Sequence, residues 1–253
     1  MQLLTGTTGF SYKEWVGPFY PAKTPADGML RFYGEHFPTV EINNTFYRFP
    51  APALVERWAA DVPAHFVFTL KASRSITHMK RLKNAQESVA EFIRRAAFLG
   101  DKLGMILFQL PPTLRKDLPR LGDFLAAVPA GRRFAVEFRH ASWHDDEVYD
   151  ALRARGAALC VAETDEDGSA PFVCTSEDAY LRLRRSQYGE DDLRAWADRL
   201  ASQPLARAWV YFKHEDEALA TRFARRLDEL WRAAHGPAPA AANPTPGPKG
   251  PAR

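Results

Sequence analysis

Short apolar runs recur at nearly even spacing along this chain of 253 residues, and segments with helical periodicity separate most of them. The eight runs are residues 3–7, 40–43, 66–71, 105–109, 134–139, 158–161, 180–183 and 209–212. Alternation of strand and helix is typical of parallel strand pairing. Eight such units in about 230 residues have the size of a (β/α)8 barrel, and an open doubly wound sheet is the competing arrangement. We therefore predict an α/β fold formed by a single (β/α)8 TIM-type barrel.

The segments between the runs carry apolar residues three or four positions apart, as an amphipathic helix does. The clearest sets are Val89, Phe92, Ile93, Ala96 and Leu99; Leu118, Leu121, Leu125 and Val128; Leu193, Trp196 and Leu200; and Leu219, Phe223, Leu227, Leu230 and Trp231. Residues 145–155 begin with acids and end with arginines before Gly156, an order that complements a helix dipole. Residues 163–178 contain Gly168 and Pro171 without an apolar stripe, so we predict an irregular connection between the sixth and seventh strands.

Composition changes abruptly at Gly236. From there onward half of the residues are Pro or Gly and most others are Ala, a composition that buries too little apolar surface to offset chain entropy. We therefore expect a barrel domain over residues 1–235 and a disordered tail over residues 236–253. Without Lys249 and Arg253 the formal charge falls from +3 to +1, so the sequence does not indicate the broad basic face that nucleic acid selects.

Two cysteines, Cys160 and Cys174, are too few for a disulfide framework. The sequence has neither a basic leader followed by an apolar stretch nor a run near the roughly 18 apolar residues of a membrane span. These features predict a cytoplasmic protein with no membrane partner.

Strand alternation divides each apolar run into two faces. The bulky face is expected to contact the helices, so the other face points to the barrel axis. Toward the C-terminal ends of the strands that second face is almost entirely polar. It consists of Glu41, Asn43, Thr69, Lys71, Gln109, Glu137, Arg139, Arg182, Arg184 and Lys213. Barrel enzymes place their chemistry at this end, so we predict a functional site there.

Two interpretations fit these polar residues: a self-neutralising salt-bridge plug or a ligand site. The bases outnumber the acids, and an anionic ligand would complete the charge balance, whereas a plug would need none. Glu41 and Glu137 are candidates for a general acid and base pair with Lys71 as a third catalytic group, or for salt bridges alone. The predicted substrate-binding residues are Asn43, Tyr47, His78, Gln109, Arg139, Trp143, Arg182 and Lys213.

Aromatic residues crowd the loops that follow the first two strands, among them Phe10, Trp15, Phe46 and Tyr47, and Trp143 follows the fifth strand. They either pack the loops over the barrel end or stack against a sugar or base.

We predict no cofactor, because no short metal-ligand spacing such as His-Glu-x-x-His occurs and nearby Lys and Arg residues would repel a divalent cation. The scattered candidates for metal ligands are His78, His140, His144, His214, Glu41, Glu137 and Asp165. The leading hypothesis is an enzyme acting on a small or medium anionic substrate, such as a phosphorylated or carboxylated sugar. The alternatives are a nucleic-acid-binding protein, a metal-dependent phosphodiesterase or endonuclease-like barrel, and a scaffold without chemistry.

The chain also resembles a known family through several long motifs. They are GTTGFS at 6–11, FYP at 19–21, VEINNTFY at 40–47, LFQLPP at 107–112, VEFRH at 136–140 and YLRL at 180–183. These motifs are similar to the YecE-like family, a domain of unknown function, and the resemblance implies a TIM-type barrel without an established reaction. The chain departs from the family pattern at Arg184-Arg185 and at Lys213-His214, which adds positive charge after the last two strands.

Overall fold

The computed structural model describes residues 1–166, 168–213 and 216–236. Its strands are β1 (Gln2–Thr7), β2 (Thr39–Ile42), β3 (Val67–Lys71), β4 (Leu103–Gln109), β5 (Phe134–Glu137), β6 (Ala158–Thr164), β7 (Gly168–Ser169), β8 (Asp178–Leu183) and β9 (Arg207–Phe212). Eight of them pair in parallel in the order β1-β9-β8-β6-β5-β4-β3-β2, and the short β7 pairs antiparallel with β6. A bridge between Thr8 and Glu41 joins β1 to β2, so the predicted barrel is confirmed and nearly closed.

Within the described residues, seven α-helices surround the strands. They are α1 (Met29–His36), α2 (Pro52–Asp61), α3 (Gln86–Ala96), α4 (Leu118–Ala127), α5 (Asp146–Ala154), α6 (Glu190–Ala201) and α7 (Leu219–His235). Between β6 and β8 the described residues form no helix, which confirms the predicted irregular connection. None of the helices in the described ranges is long and apolar enough to cross a membrane.

Local sequence explains where helix α5 begins and ends. The Asp145 side chain accepts a hydrogen bond from the Glu147 amide at 3.0 Å and so satisfies a free N–H group of the first turn. Asp146 and Glu147 add negative charge to this end of the helix, where the dipole is positive. Gly156 follows the last turn with a left-handed φ of 60°, a conformation that glycine adopts without a steric penalty.

The buried residues form two clusters that match the two predicted strand faces. The larger cluster holds the bulky strand residues and the helices, and the second fills the axis with Leu4, Met105, Leu107, Ala135, Ala158, Cys160, Tyr180, Trp209 and Tyr211. Above them the Tyr211 hydroxyl lies 2.7 Å from the hydroxyls of both Thr39 and Thr69. The axis therefore changes from apolar to polar toward the C-terminal ends of the strands.

The predicted disordered tail, residues 236–253, lies outside the described residues except for Gly236.

Candidate functional site

Three buried charged side chains meet across the axis at the C-terminal ends of the strands. Arg182 on β8 donates through one nitrogen to Glu41 Oε1 at 2.8 Å and through the other to Glu137 Oε2 at 2.8 Å. All three are nearly inaccessible to solvent. The planar guanidinium suits this role because it presents its donors in a fixed fork. Strands β2, β5 and β8 hold these residues in place, as strand alternation predicted.

Further donors occupy the two carboxylates. Glu41 accepts from the Tyr180 hydroxyl at 2.5 Å and from Asn43 Nδ2 at 3.1 Å. Glu137 accepts from Gln109 Nε2 at 2.8 Å and from Arg139 Nε at 2.9 Å. All four carboxylate oxygens therefore accept hydrogen bonds from protein groups.

The arginines keep Glu137 ionised. Burial alone would raise the pKa of this carboxyl, but Arg182, Arg184 and Arg139 outweigh burial and lower the pKa to about 2. At neutral pH Glu137 is thus a carboxylate, without a proton to donate. It anchors the guanidinium groups around it.

Lys71 and His78 both contact the ring of Phe46. The Lys71 ammonium lies 4.3 Å from the ring centroid, and the His78 ring stands perpendicular to Phe46 at 4.9 Å between centroids. The Thr45 hydroxyl donates to the Lys71 carbonyl at 2.7 Å, which ties the turn that carries Phe46 to the end of β3. These contacts give the amine a defined position on a strand end.

The pKa values of Lys71 and His78 both fall. Burial and the charge of Arg182 lower the pKa of Lys71 to about 8, although Glu41 and Glu137 act in the opposite direction. Burial lowers the pKa of His78, and Lys71 and Arg139 lower it further. Both groups therefore release a proton more readily than an exposed lysine or histidine does.

Positive charge exceeds negative charge at this end of the barrel, which we call the mouth. Among the described residues that interact across the axis, the cations are Lys71, Arg139, Arg182 and Arg184, and the anions are Glu41 and Glu137. Four positive charges thus face two negative ones. Among the described residues, the buried Nε atoms of Arg182 and Arg184 have no hydrogen-bond partner. The mouth therefore combines excess charge with unused donors.

The structure brings most of the predicted site residues together. Direct contacts join Glu41, Asn43, Gln109, Glu137, Arg139 and Arg182, and Lys71 and His78 interact electrostatically with this group. Lys213 is exposed directly after β9, where its amide donates to the Leu183 carbonyl at 3.0 Å. Tyr47 lies further out and is 70% exposed, with the Arg74 guanidinium 5.9 Å from its ring centroid.

Trp143 has a different location. It is fully buried, it stacks on Phe138 at 4.7 Å between centroids, and its indole N–H donates to the Leu114 carbonyl at 2.7 Å. These contacts belong to the helix-facing cluster, so we assign it no ligand contact. Sequence reasoning missed Tyr180 as a partner of Glu41. The signal was its position two residues before Arg182, on the same strand face.

No group of three or more His, Cys, Asp or Glu side chains that could hold a metal occurs within the described ranges. His214, one of the scattered candidates for a metal ligand, lies outside those ranges.

Comparisons with known proteins found matches that extend over most of the chain. A family model described as "Protein of unknown function DUF72" matches residues 4–249. The chain is 36% identical to the UPF0759 protein YecE of Escherichia coli K12 over 112 residues, which cover 44% of this chain and 41% of YecE. It is 29% identical to the UPF0759 protein YunF of Bacillus subtilis over 202 residues, which cover 71% of this chain and 68% of YunF. The match thus spans less than half the length of YecE.

Two crystal structures share the fold. A DUF72 family protein from Thermotoga maritima superposes with a TM-score of 0.76 at 26% identity, covering 90% of this chain and all of that one. A DUF72 family protein from Enterococcus faecalis superposes with a TM-score of 0.75 at 18% identity, covering 91% of this chain and 96% of that one. These descriptions name no substrate and no reaction.

Proposed function

This chain belongs to the DUF72 family of proteins of unknown function, and we propose from its own residues that it is an enzyme acting on an anionic substrate at the mouth. The substrate is small or medium in size and carries a phosphate or carboxylate group, as a phosphorylated or carboxylated sugar does. The observation that carries this proposal is the excess of cations over carboxylates around the axis.

A plug that only filled the barrel would gain from neutrality, because an unbalanced charge near a low-dielectric interior costs free energy. Instead Arg184 lies mostly buried with a carboxylate oxygen of Glu137 3.6 Å away, and burial lowers the pKa of its guanidinium. Arg139, half-exposed beside it, shares the same carboxylate. A bound phosphate or carboxylate would supply the missing negative charge and accept hydrogen bonds from the guanidinium groups.

The geometry also favours catalytic roles different from those of a general acid and base pair formed by Glu41 and Glu137. The carboxylates of Glu41 and Glu137 are engaged by their neighbours, so we assign them the role of holding Arg182 and Arg139 in place. The pKa of Lys71 moves toward the neutral range, to about 8, and burial lowers the pKa of His78 below its ordinary value, which leaves a neutral imidazole that can accept a proton. General acid and base catalysis is most effective with a pKa near the working pH. We therefore assign the chemical step to Lys71 and His78.

Two arginines that flank β5 provide a matched test of anion binding. Arg139 and Arg133 each have a side chain that is 36% exposed and paired with a buried carboxylate, but Arg139 lies at the mouth and Arg133 at the opposite end of the barrel. Inorganic phosphate and glucose 6-phosphate should raise the melting temperature of the wild type and of Arg133→Ala, because a ligand that binds only the folded state stabilises it. Arg139→Ala should lose most of this shift.

The ligand series is run against sodium chloride at equal ionic strength. An equal shift with chloride, or an undiminished phosphate shift in Arg139→Ala, would refute the proposed anion site.

One observation favours nucleic acid as a second candidate ligand. Residues 62–86 contain Lys71, Arg74, Lys80, Arg81 and Lys83 and no acidic residue, and all of these cations except Lys71 are exposed. Phosphate contacts by such a segment weaken steeply as salt concentration rises. Filter binding of short single-stranded DNA and RNA across a salt series tests this candidate, and added Mn²⁺ in the same samples tests cleavage. Absence of binding at low salt would eliminate it.

A further inference from the structure

We propose that the Lys71 amine forms an imine with a carbonyl group of the substrate, so that the anionic substrate is an oxo acid or a phosphorylated ketone or aldehyde. This inference rests on the proposed function, since the cations of the mouth would hold the anionic group while Lys71 reacts with the carbonyl. Four features of the site lead to it.

The first feature is the absence of an ion pair. No carboxylate of a described residue lies within salt-bridge distance of the Lys71 amine, because the oxygens of Glu41 and Glu137 are directed to other donors. The amine faces the aromatic ring of Phe46 instead. A lysine held for structural reasons at this depth would be expected to share a carboxylate.

The second feature is the charge around the amine. Arg182 and Arg139 both disfavour the ammonium form of Lys71, and partial burial acts in the same direction. Burial and a neighbouring cation are the two ways in which proteins activate a lysine as a nucleophile toward carbonyl compounds. Lys71 has both.

The third feature is the rigid position of the amine. Lys71 is the last residue of β3, and the following amide, that of Ala72, donates to the Leu107 carbonyl at 2.8 Å. A reacting group on a strand end is placed more reproducibly than one on a loop. The strand therefore directs the amine into the mouth, where an anionic substrate would lie.

The fourth feature is a proton carrier that contacts the same aromatic ring as the amine. His78 contacts the same Phe46 ring, and its lowered pKa keeps the imidazole neutral at neutral pH. A neutral imidazole can accept a proton at one step and return it at the next.

The reaction balances without an oxidant or a reductant. The Lys71 ammonium first gives one proton to His78. The neutral amine then attacks the carbonyl carbon, a C–N bond forms, the π electron pair moves to the oxygen, and one proton passes from the nitrogen to that oxygen. The resulting carbinolamine then loses the hydroxyl group as water, and the nitrogen lone pair forms the C=N bond. Overall, one lysine ammonium and one carbonyl group give one protonated imine and one water molecule. His78 returns the proton that it took from the ammonium to the hydroxyl group as this group leaves as water.

Reductive trapping of the imine with sodium cyanoborohydride tests the proposal on the full chain. Pyruvate and dihydroxyacetone phosphate are the probes, each incubated at pH 8 with sodium cyanoborohydride, which reduces an imine to a stable secondary amine. We expect one adduct per chain by intact mass spectrometry, located at Lys71 by peptide mapping and suppressed by excess inorganic phosphate. Lys71→Arg keeps the positive charge and should give no adduct.

Lys102 provides the matched control. It is also partly buried with a lowered pKa, but its amine donates to the carbonyls of Ala59 and Val62, both at 2.6 Å. Lys102→Arg should give the same adduct as the wild type. No adduct with either probe, or equal labelling of the wild type and Lys71→Arg, would overturn the imine.

The two proposals fail in distinguishable ways. If phosphate stabilises the wild type but neither probe is trapped, the anion site stands and the imine is overturned. If a Lys71 adduct forms but phosphate neither protects the protein nor competes with the probe, the imine stands and the anion site is overturned. Mapping of the wild-type adduct settles the imine even if Lys71→Arg fails to fold.

Discussion

The two ends of the barrel use the same chemical groups and reach different charge balances. At the N-terminal ends of the strands, Asp178 accepts from Arg207 Nε at 2.6 Å and lies 3.5 Å from Arg133, while Glu177 accepts from Arg207 at 2.5 Å. In this group of contacting side chains two acids face two bases. At the mouth Glu41 and Glu137 face four bases among the described residues, Lys71, Arg139, Arg182 and Arg184, although both acids are buried at least as deeply as Asp178.

The two ends of the barrel differ in how far their charges are balanced. Glu177 and Asp178 share Arg207, Asp178 also pairs with Arg133, and the Trp209 indole N–H adds a hydrogen bond to Asp178 at 3.3 Å, so these four charged residues form a neutral cap on the apolar axis. The mouth keeps cations that its own carboxylates do not balance. Catalytic and binding sites commonly retain such destabilising features, because they serve a ligand rather than the fold.

The largest difference between the two ends should appear when one arginine is removed from each. Arg182→Met leaves both Glu41 and Glu137 buried without their shared partner, and breaking a buried pair in this way costs about 3–5 kcal/mol. Arg207→Met should cost less, because Asp178 keeps Arg133 and Trp209. Guanidinium chloride denaturation at pH 7 measures both free energies of unfolding. Equal losses of free energy of unfolding in Arg182→Met and Arg207→Met would contradict the distinction between the arginine shared by two buried carboxylates and the cap at the N-terminal end.

The sequence predicted the set of axis-facing residues but not their pairing. Alternation within β3, β5 and β8 sufficed to place Lys71, Glu137 and Arg182 on the axis, because the opposite face of each strand is bulky and apolar. The bond between Tyr180 and Glu41 joins residues 139 positions apart, and local periodicity holds no information about such a contact.

Trp143 shows a related limit of the sequence. A tryptophan that follows a strand can lie at the exposed rim of the barrel or in the core, and its identity alone does not distinguish these positions. In the structure Trp143 packs in the core, where it stacks on Phe138. The excess of cations at the mouth could be predicted from the sequence. The hydrogen bonds to all four carboxylate oxygens of Glu41 and Glu137 are seen only in the structure.

The second prediction concerns acid stability. The pKa of Glu137 in the folded state, about 2, lies below the ordinary value of 4.5, so its ionised form stabilises the protein above pH 4.5. This contribution, about 3 kcal/mol, should disappear as the pH falls from 4.5 toward 2. Glu137→Gln should lose stability at pH 7 and show a weaker pH dependence in that window. Urea denaturation at closely spaced pH values measures this, and an unchanged slope in Glu137→Gln would contradict the assignment of the pKa.

The third prediction concerns Lys71, whose positive charge should destabilise the fold, whereas the negative charge of Glu137 should stabilise it. The pKa of Lys71 in the folded state, about 8, lies below its ordinary value of 10.5, so the folded protein binds this proton less tightly than the unfolded chain does. Below pH 8 the ammonium therefore destabilises the fold, and this penalty declines as the pH rises from 8 to 10.5. Lys71→Met should raise the free energy of unfolding at pH 7 by about 1–2 kcal/mol, less than the full pKa shift implies because solvent screens a partly exposed charge.

Lys102→Met is the matched control for that gain. It removes another lysine whose pKa is lowered by burial, but it also leaves the Ala59 and Val62 carbonyls without their donor, so it should destabilise the protein. Denaturation of both variants at pH 7 and pH 10 gives the comparison. A loss of stability in Lys71→Met at pH 7 would mean that the amine supports the fold, and the mouth would then resemble the neutral cap at the other end. A gain that fades at pH 10 would show that the fold carries this cation at a cost, as expected of a group kept for a ligand.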